Sequence, residues 1–164
     1  MRQGELLGLK WGDVDLARGV LRVRRTVWQG VATAPKTAKA NRSIRLTCMA
    51  QEALKALKAL KGQRGRDGKS GWVFPTSNGT LVNCHNLINR SWWPLLDKVG
   101  LLSRIPFHNL RHTCATLLLS QGVHPKLVRK LLGHADISTT LNTYSHVMPS
   151  LEGKTASAME DALA

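Results

Sequence analysis

From Val20 to Val27 the chain reads Val-Leu-Arg-Val-Arg-Arg-Thr-Val, with apolar and basic positions alternating. A period of two predicts a half-buried strand with a cationic outer face. Val31 to Ala34 and Arg42 to Leu46 are strand-like as well. Pro35-Lys36-Thr37-Ala38-Lys39-Ala40-Asn41 has the composition of a turn between them, so the three segments predict an antiparallel meander. The period then changes. Leu54, Leu57 and Leu60 recur with alanines at helical spacing over 48–61, and Thr47 is placed to cap that helix. Residues 62–71 are polar and glycine-rich, a loop, and Trp72-Val73-Phe74-Pro75 is a short extended piece. Asn83 caps a helix carrying Trp92 and Trp93, which Pro94 kinks or restarts. Three more helices are predicted: about 108–121 ending at Gly122, 125–132 with Pro125 in its first turn, and 136–146 capped by Asp136. A short helix over 3–10 precedes the strands. Beyond Pro149, Leu151, Thr155, Met159 and Leu163 fall at four-residue steps, either a frayed end or a weak helix that docks on a neighbouring subunit. The predicted fold is α+β and mainly helical, with a small three-stranded antiparallel sheet on one edge.

Composition sharpens this picture. With 164 residues, 43% hydrophobic and 21% charged, the chain can bury a core of its own and does not read as disordered. The net charge of +14 calls for a polyanionic partner, nucleic acid or an anionic membrane. Residues 1–66 hold 15 Lys and Arg against 4 Asp and Glu, and the remainder 9 against 6, so the basic surface belongs mostly to the first part of the fold. No apolar run approaches the ~20 residues that span a bilayer, and Met1-Arg2-Gln3-Gly4-Glu5 is no apolar leader. Cys48, Cys84 and Cys114 are odd in number and widely spaced, which argues against a disulfide framework or zinc ribbon. A cytoplasmic protein with reduced thiols and no membrane partner is expected.

Tyr144, the one tyrosine, lies in a patterned stretch from Leu132 to His146. A phenol, with a reference pKa near ~10, is a poor nucleophile at neutral pH. It becomes useful when a base and a dense set of cations surround the atom it attacks. Four patterns supply such a set in a fixed order: Arg2 to Trp11, the turn Pro35-Lys36-Thr37, Phe107-His108-Asn109-Leu110-Arg111-His112-Thr113, and Gly133-His134 through Tyr144. A His-x-x-Arg pair alone proves nothing, and the order and spacing carry the signal. His108 and His112, four apart, could also hold a metal, but no third ligand is evident.

In these patterns the chain resembles the catalytic domain of the tyrosine site-specific recombinases, the phage integrase family. Matched position by position, the resemblance implies that Arg2 is the first catalytic arginine, Lys36 the hairpin lysine, His108 and Arg111 the His-x-x-Arg pair, His134 the second histidine and Tyr144 the nucleophile. It implies cutting and rejoining of double-stranded DNA through a 3′-phosphotyrosyl intermediate, with Lys36 protonating the leaving 5′ oxygen. The bond energy stays in the covalent intermediate, so no cofactor is implied. Assembly as a tetramer on two duplexes, with tails exchanged between protomers, is implied as well. The residues make chemical sense of this. Arg2 and Arg111 can fork onto the non-bridging oxygens, each contact worth roughly 3 kcal/mol in such sites. His108 and His134 are placed to bond the same phosphate and manage the tyrosine's proton. Lys39 could take the role of Lys36, and Glu5 is either the acid that orients the arginines or a plain helix charge. Lys39 and Arg42 are candidate contacts to DNA phosphates.

Family members carry at least one helix before the first arginine and a DNA-clamping domain before that. Here one residue precedes Arg2. Residues 1–164 are therefore expected to be a catalytic domain missing its first helix and the upstream core-DNA-binding domain, and the piece alone is not counted on to be active. Three other readings stay open: a helix-turn-helix DNA binder built on 109–132, a type IB topoisomerase-like enzyme, and a remnant that binds DNA without cutting it.

Overall fold

The computed structural model describes residues 1–34, 40–63, 71–101, 103–134, 136–144 and 161. Gln3–Leu7 form α1, opened by Glu5, whose Oε2 accepts the Arg2 backbone N–H at 2.8 Å. A turn of 3₁₀ helix, Trp11–Asp13, leads into β1 (Val14–Asp15). β2 (Val20–Val23) is central in a three-stranded antiparallel sheet of order β1-β2-β5, in which Leu21 lies opposite both Val14 and Ile44 of β5 (Arg42–Arg45). β3 (Thr26–Trp28) and β4 (Val31–Thr33) make a separate two-stranded hairpin.

The three-stranded antiparallel sheet is present, but its membership differs from the predicted meander. The stretch from Val20 to Val27 is two strands, broken at Arg24 and Arg25, and β4 pairs with β3 alone. The cause is Asp13, a buried carboxylate. It accepts a hydrogen bond from Arg25 and lies 3.8 Å from Arg24 Nε. A buried carboxylate requires such partners, and supplying them turns the chain out of the line of β2. Within β2 the predicted alternation holds: Leu21 and Val23 are buried and Arg22 is exposed.

Leu21 and Val23 share a core with Leu9 and Val73, against which Trp11, Ile44, Leu54 and Leu57 pack. The two leucines come from α2 (Cys48–Gln63), which runs two residues beyond its predicted end. Thr47 Oγ1 accepts the Ala50 N–H at 3.3 Å, the expected cap. The extended piece at 72–75 is pinned by the Val73 N–H donating to Leu9 O at 2.9 Å. α3 (Cys84–Leu87) starts with Asn83 capping the His85 N–H. It passes through a π turn, Ile88–Trp92, into α4 (Trp93–Lys98) with Pro94 in its first turn. The wider turn accommodates the proline without ending the helical path.

α5 (Asn109–Ser120), α6 (Pro125–Leu132) and α7 (Ile137–Tyr144) fall within one or two residues of the predicted boundaries. They enclose a second core of Ala115, Leu119, Val128, Leu132 and the ring of Tyr144. The predicted helix beyond Pro149, except residue 161, the turn at 35–39 and most of the 62–71 loop lie outside the described residues. Among the described residues no helix is long and apolar enough to cross a membrane.

α1 lies on β3 through Gly4. A Cβ there would stand 2.5 Å from Val27 O and 2.6 Å from Thr26 Oγ1. Gly4→Ala is therefore expected to destabilise the fold by about 1–3 kcal/mol, as overpacking does, and thermal melts should show it. An unchanged melting temperature would mean that α1 does not hold this seat in solution.

Candidate active site

α5 sets three groups on one face: His108 immediately before it, Arg111, and His112 one turn after His108. Arg111 is buried, and its Nη2 donates to Leu132 O at 2.6 Å, tying α5 to the end of α6. Its Nη1 is buried with no hydrogen-bond partner among the described residues. Burial, followed by repulsion from Arg2, brings its pKa down to about 10, although Glu5 opposes this; the group is still cationic at neutral pH. Arg2 is half-exposed and reaches Glu5 Oε1 at 3.3 Å.

Glu5 is the hub of this half of the site. Its two oxygens accept from Arg42 Nη1 at 3.0 Å and Nη2 at 2.9 Å, a buried fork. Burial alone would raise the Glu5 pKa, but the Arg42 hydrogen bonds, the Arg2 backbone N–H and the two positive charges outweigh it, so the carboxyl sits below its ordinary range. Arg42 also donates through Nε to Leu131 O at 2.7 Å and through Nη1 to Ala40 O at 3.1 Å. Arg42, expected to contact DNA phosphate, also borders a basic cleft beside His134. Its guanidinium is buried and joins β5, α1 and the end of α6. Gly133, which ends α6 with φ +70°, permits this approach, since a Cβ there would lie 2.8 Å from Arg42 Nη1.

His134 follows Gly133 and is half-buried, with Nδ1 2.9 Å from the Oγ1 of fully buried Thr140 on α7. Burial first, then Arg111, Arg2 and Arg42, pushes its pKa down to about 4, so at neutral pH it is an uncharged imidazole. His108, although exposed, shifts in the same direction, through partial desolvation and then His112 and Arg111. Folding therefore favours the proton-free form of both. That contribution to stability is complete above pH ~6.5 and is lost as pH falls toward 4. The melting temperature of the DNA-free protein should drop between pH 7 and pH 5, and His134→Gln should shrink the drop. An equal drop in the variant would assign it to other groups.

Tyr144, the last residue of α7, has its ring in the core and its hydroxyl 2.7 Å from His112 Nδ1. Burial raises the phenol's pKa, with Arg111 opposing, so Tyr144 is protonated in the resting site. Arg111 and Arg2 act electrostatically on both His108 and His134, Arg2 and Arg42 act on Arg111, and Arg111 also acts on Tyr144. The structure thus brings together Arg2, His108, Arg111, His134 and Tyr144. Lys36 and Lys39 lie outside the described residues. The residues whose placement the sequence did not disclose are His112, against the phenol, and Thr140, against His134.

Beside this constellation, Arg22 and Arg42 from the sheet, Arg24 just after β2, and Arg129 and Lys130 from α6 line a cleft of about 660 Å³ that His134 also borders. Five cations around one cleft give it a strongly positive field. The signal for Arg22 and Arg24 was the basic alternation from Val20 onward. Among the described residues no group of three or more His, Cys, Asp or Glu is arranged to hold a metal ion.

Residues 1–150 match the profile of the phage integrase family. The chain belongs to the phage integrase family. Among its integrase relatives is a tyrosine recombinase XerC-like protein of Caldanaerobacter subterraneus subsp. tengcongensis, 33% identical over 98% of this chain and 46% of that protein. The integrase of Staphylococcus phage L54a is 26% identical over 98% of this chain and 48% of its own length. The chain thus spans about half the length of the curated relatives it matches. The XerA recombinase crystal structure superposes with a TM-score of 0.72 at 26% identity, over 96% of this chain and 53% of that one. The Tn1549 transposon integrase, solved with circular intermediate DNA, shares the fold with a TM-score of 0.74 at 24% identity, over 100% of this chain and 56% of that one.

Proposed function

We propose that residues 1–164 are the catalytic domain of a site-specific DNA recombinase that breaks and rejoins double-stranded DNA through Tyr144. The phenol attacks the scissile phosphorus in line and forms a 3′-phosphotyrosyl bond while the 5′ oxygen leaves, protonated by Lys36. A 5′ hydroxyl from another strand then attacks, and the strand is resealed with a new partner. Arg2 and Arg111 hold the non-bridging oxygens as charge gathers on them, and His108 and His134 hydrogen-bond the same phosphate. A neutral His134 does this through one ring N–H, its other nitrogen meeting Thr140. In the cell the enzyme works in the cytoplasm, as a tetramer on two duplexes.

One observation carries the reading. A buried guanidinium donor on Arg111, unmatched among the described residues, lies in a cluster that also holds a nucleophile bonded to an imidazole. An unmatched buried donor costs about 1–3 kcal/mol, more on a charged group, and an anionic oxygen in the site removes that cost. The test is to expose the protein to a randomised pool of nicked duplexes, in which cleavage releases a short end and traps the enzyme. DNA is then recovered in denaturant with the protein attached. The expected product is a covalent adduct whose digestion yields a phosphotyrosyl peptide containing Tyr144. A pool bound with affinity but never linked would leave a DNA-binding protein without the chemistry.

A further inference from the structure

We propose that His112, rather than His108 or His134, takes the proton from Tyr144 as the phenol attacks phosphorus; this rests on the recombinase reading above. Geometry selects it among the three imidazoles. His112 Nδ1 is 2.7 Å from the Tyr144 hydroxyl, with ring centroids 5.8 Å apart. His134 meets Thr140 through its Nδ1. His108 is exposed and touches His112 edge to face, at 4.9 Å between centroids, which places it on the outer side of the pair. The helix explains the division of labour: one turn separates the two histidines, so the second is carried inward to α7 while the first stays at the mouth beside Arg111.

The step balances with these groups. A neutral His112 with its proton on Nε2 offers the Nδ1 lone pair. The Tyr144 O–H proton moves to Nδ1 as the Tyr144 oxygen bonds to phosphorus. The bond from phosphorus to the 5′ oxygen breaks, and that oxygen takes a proton from Lys36. In resealing, the attacking 5′ hydroxyl gives its proton to the lysine, and His112 returns a proton to the departing phenol. Such proton transfer contributes roughly 10²–10⁴-fold in enzymes. The charged and titratable groups around the pair are His108, Arg111 and Cys114 on α5 and His134 after α6. Arg111 favours the deprotonated phenol.

The experiment is single-turnover cleavage of a trapped nicked duplex by the wild type, His112→Phe and His112→Asn. Each is assayed from pH 6 to 9, with either oxygen or sulfur at the 5′ bridging position. Asparagine keeps a hydrogen-bond acceptor near the place of Nδ1 but cannot take up a proton. Both variants should bind DNA normally and cleave about 100-fold more slowly. Their rates should climb with pH where the wild type levels off, and bridging sulfur should not rescue them, because it relieves the need for an acid and not for a base. Cleavage by the asparagine variant near the wild-type rate would reduce His112 to a positioning group, and rescue by sulfur would move it to the leaving-group side. Either result overturns the proposal. If the phenylalanine variant melts early, the asparagine variant decides alone. Absence of any adduct from the wild type would instead sink the recombinase reading itself.

Discussion

Replacing Tyr144 with phenylalanine is expected to abolish the covalent DNA adduct completely while leaving DNA binding near the wild-type level. Tyr144 is the one tyrosine of the chain. The phenyl ring stays in the core with Ala115, Leu119, Val128 and Leu132, and among the described residues the hydroxyl contact to His112 disappears. Loss of one such hydrogen bond costs about 1 kcal/mol, a fall of about 2–4 °C in melting temperature for a chain of this size. The change therefore separates chemistry from architecture. Equal adduct yield from Tyr144→Phe would show that another group forms the bond. Weakened DNA binding would show that the phenol is part of the recognition surface.

Arg42→Ala is expected to have the largest effect on stability of any single change in the site. It leaves Glu5 buried without its fork partner and strips the Leu131 and Ala40 carbonyls of a donor. Removing one member of a buried ion pair costs about 3–5 kcal/mol, which corresponds to a melting temperature lower by on the order of 10 °C. The damage should be conditional. In a double-mutant cycle with Glu5→Gln and Arg42→Met, the pair of changes together should be milder than Arg42→Met alone, because the stranded charge is gone. Additive losses would mean that Glu5 and Arg42 are not coupled in solution.

The sequence disclosed most where local rules were enough. Pro125, Gly122 and Gly133 punctuate α5 and α6 by backbone geometry alone, and Asn83 and Thr47 cap helices through atoms two or three residues away. It disclosed least where a side chain answered a partner far along the chain. The alternation from Val20 to Val27 looks like one strand because nothing nearby says that Asp13 claims Arg25. Arg42 looks like a surface cation because its carboxylate lies 37 positions upstream and its carbonyl partner on Leu131 lies 89 downstream. The contact between His112 and Tyr144 crosses 32 positions, and no spacing rule specifies it. Residue types announced the chemistry; which imidazole touches the phenol required the packing of α5 against α7.

The joint made by Glu5, Arg42 and Leu131 carries a consequence for how copies of such a gene decay. A lineage released from the need to cut DNA, yet still selected to stay folded, would be free to let the Tyr144 hydroxyl go, since a phenyl ring fills the same space. It would not be free to let Arg42 go, because the scaffold falls with it. Disused copies should erode first at the Tyr144 hydroxyl and last at this joint, and this chain keeps both Tyr144 and Arg42.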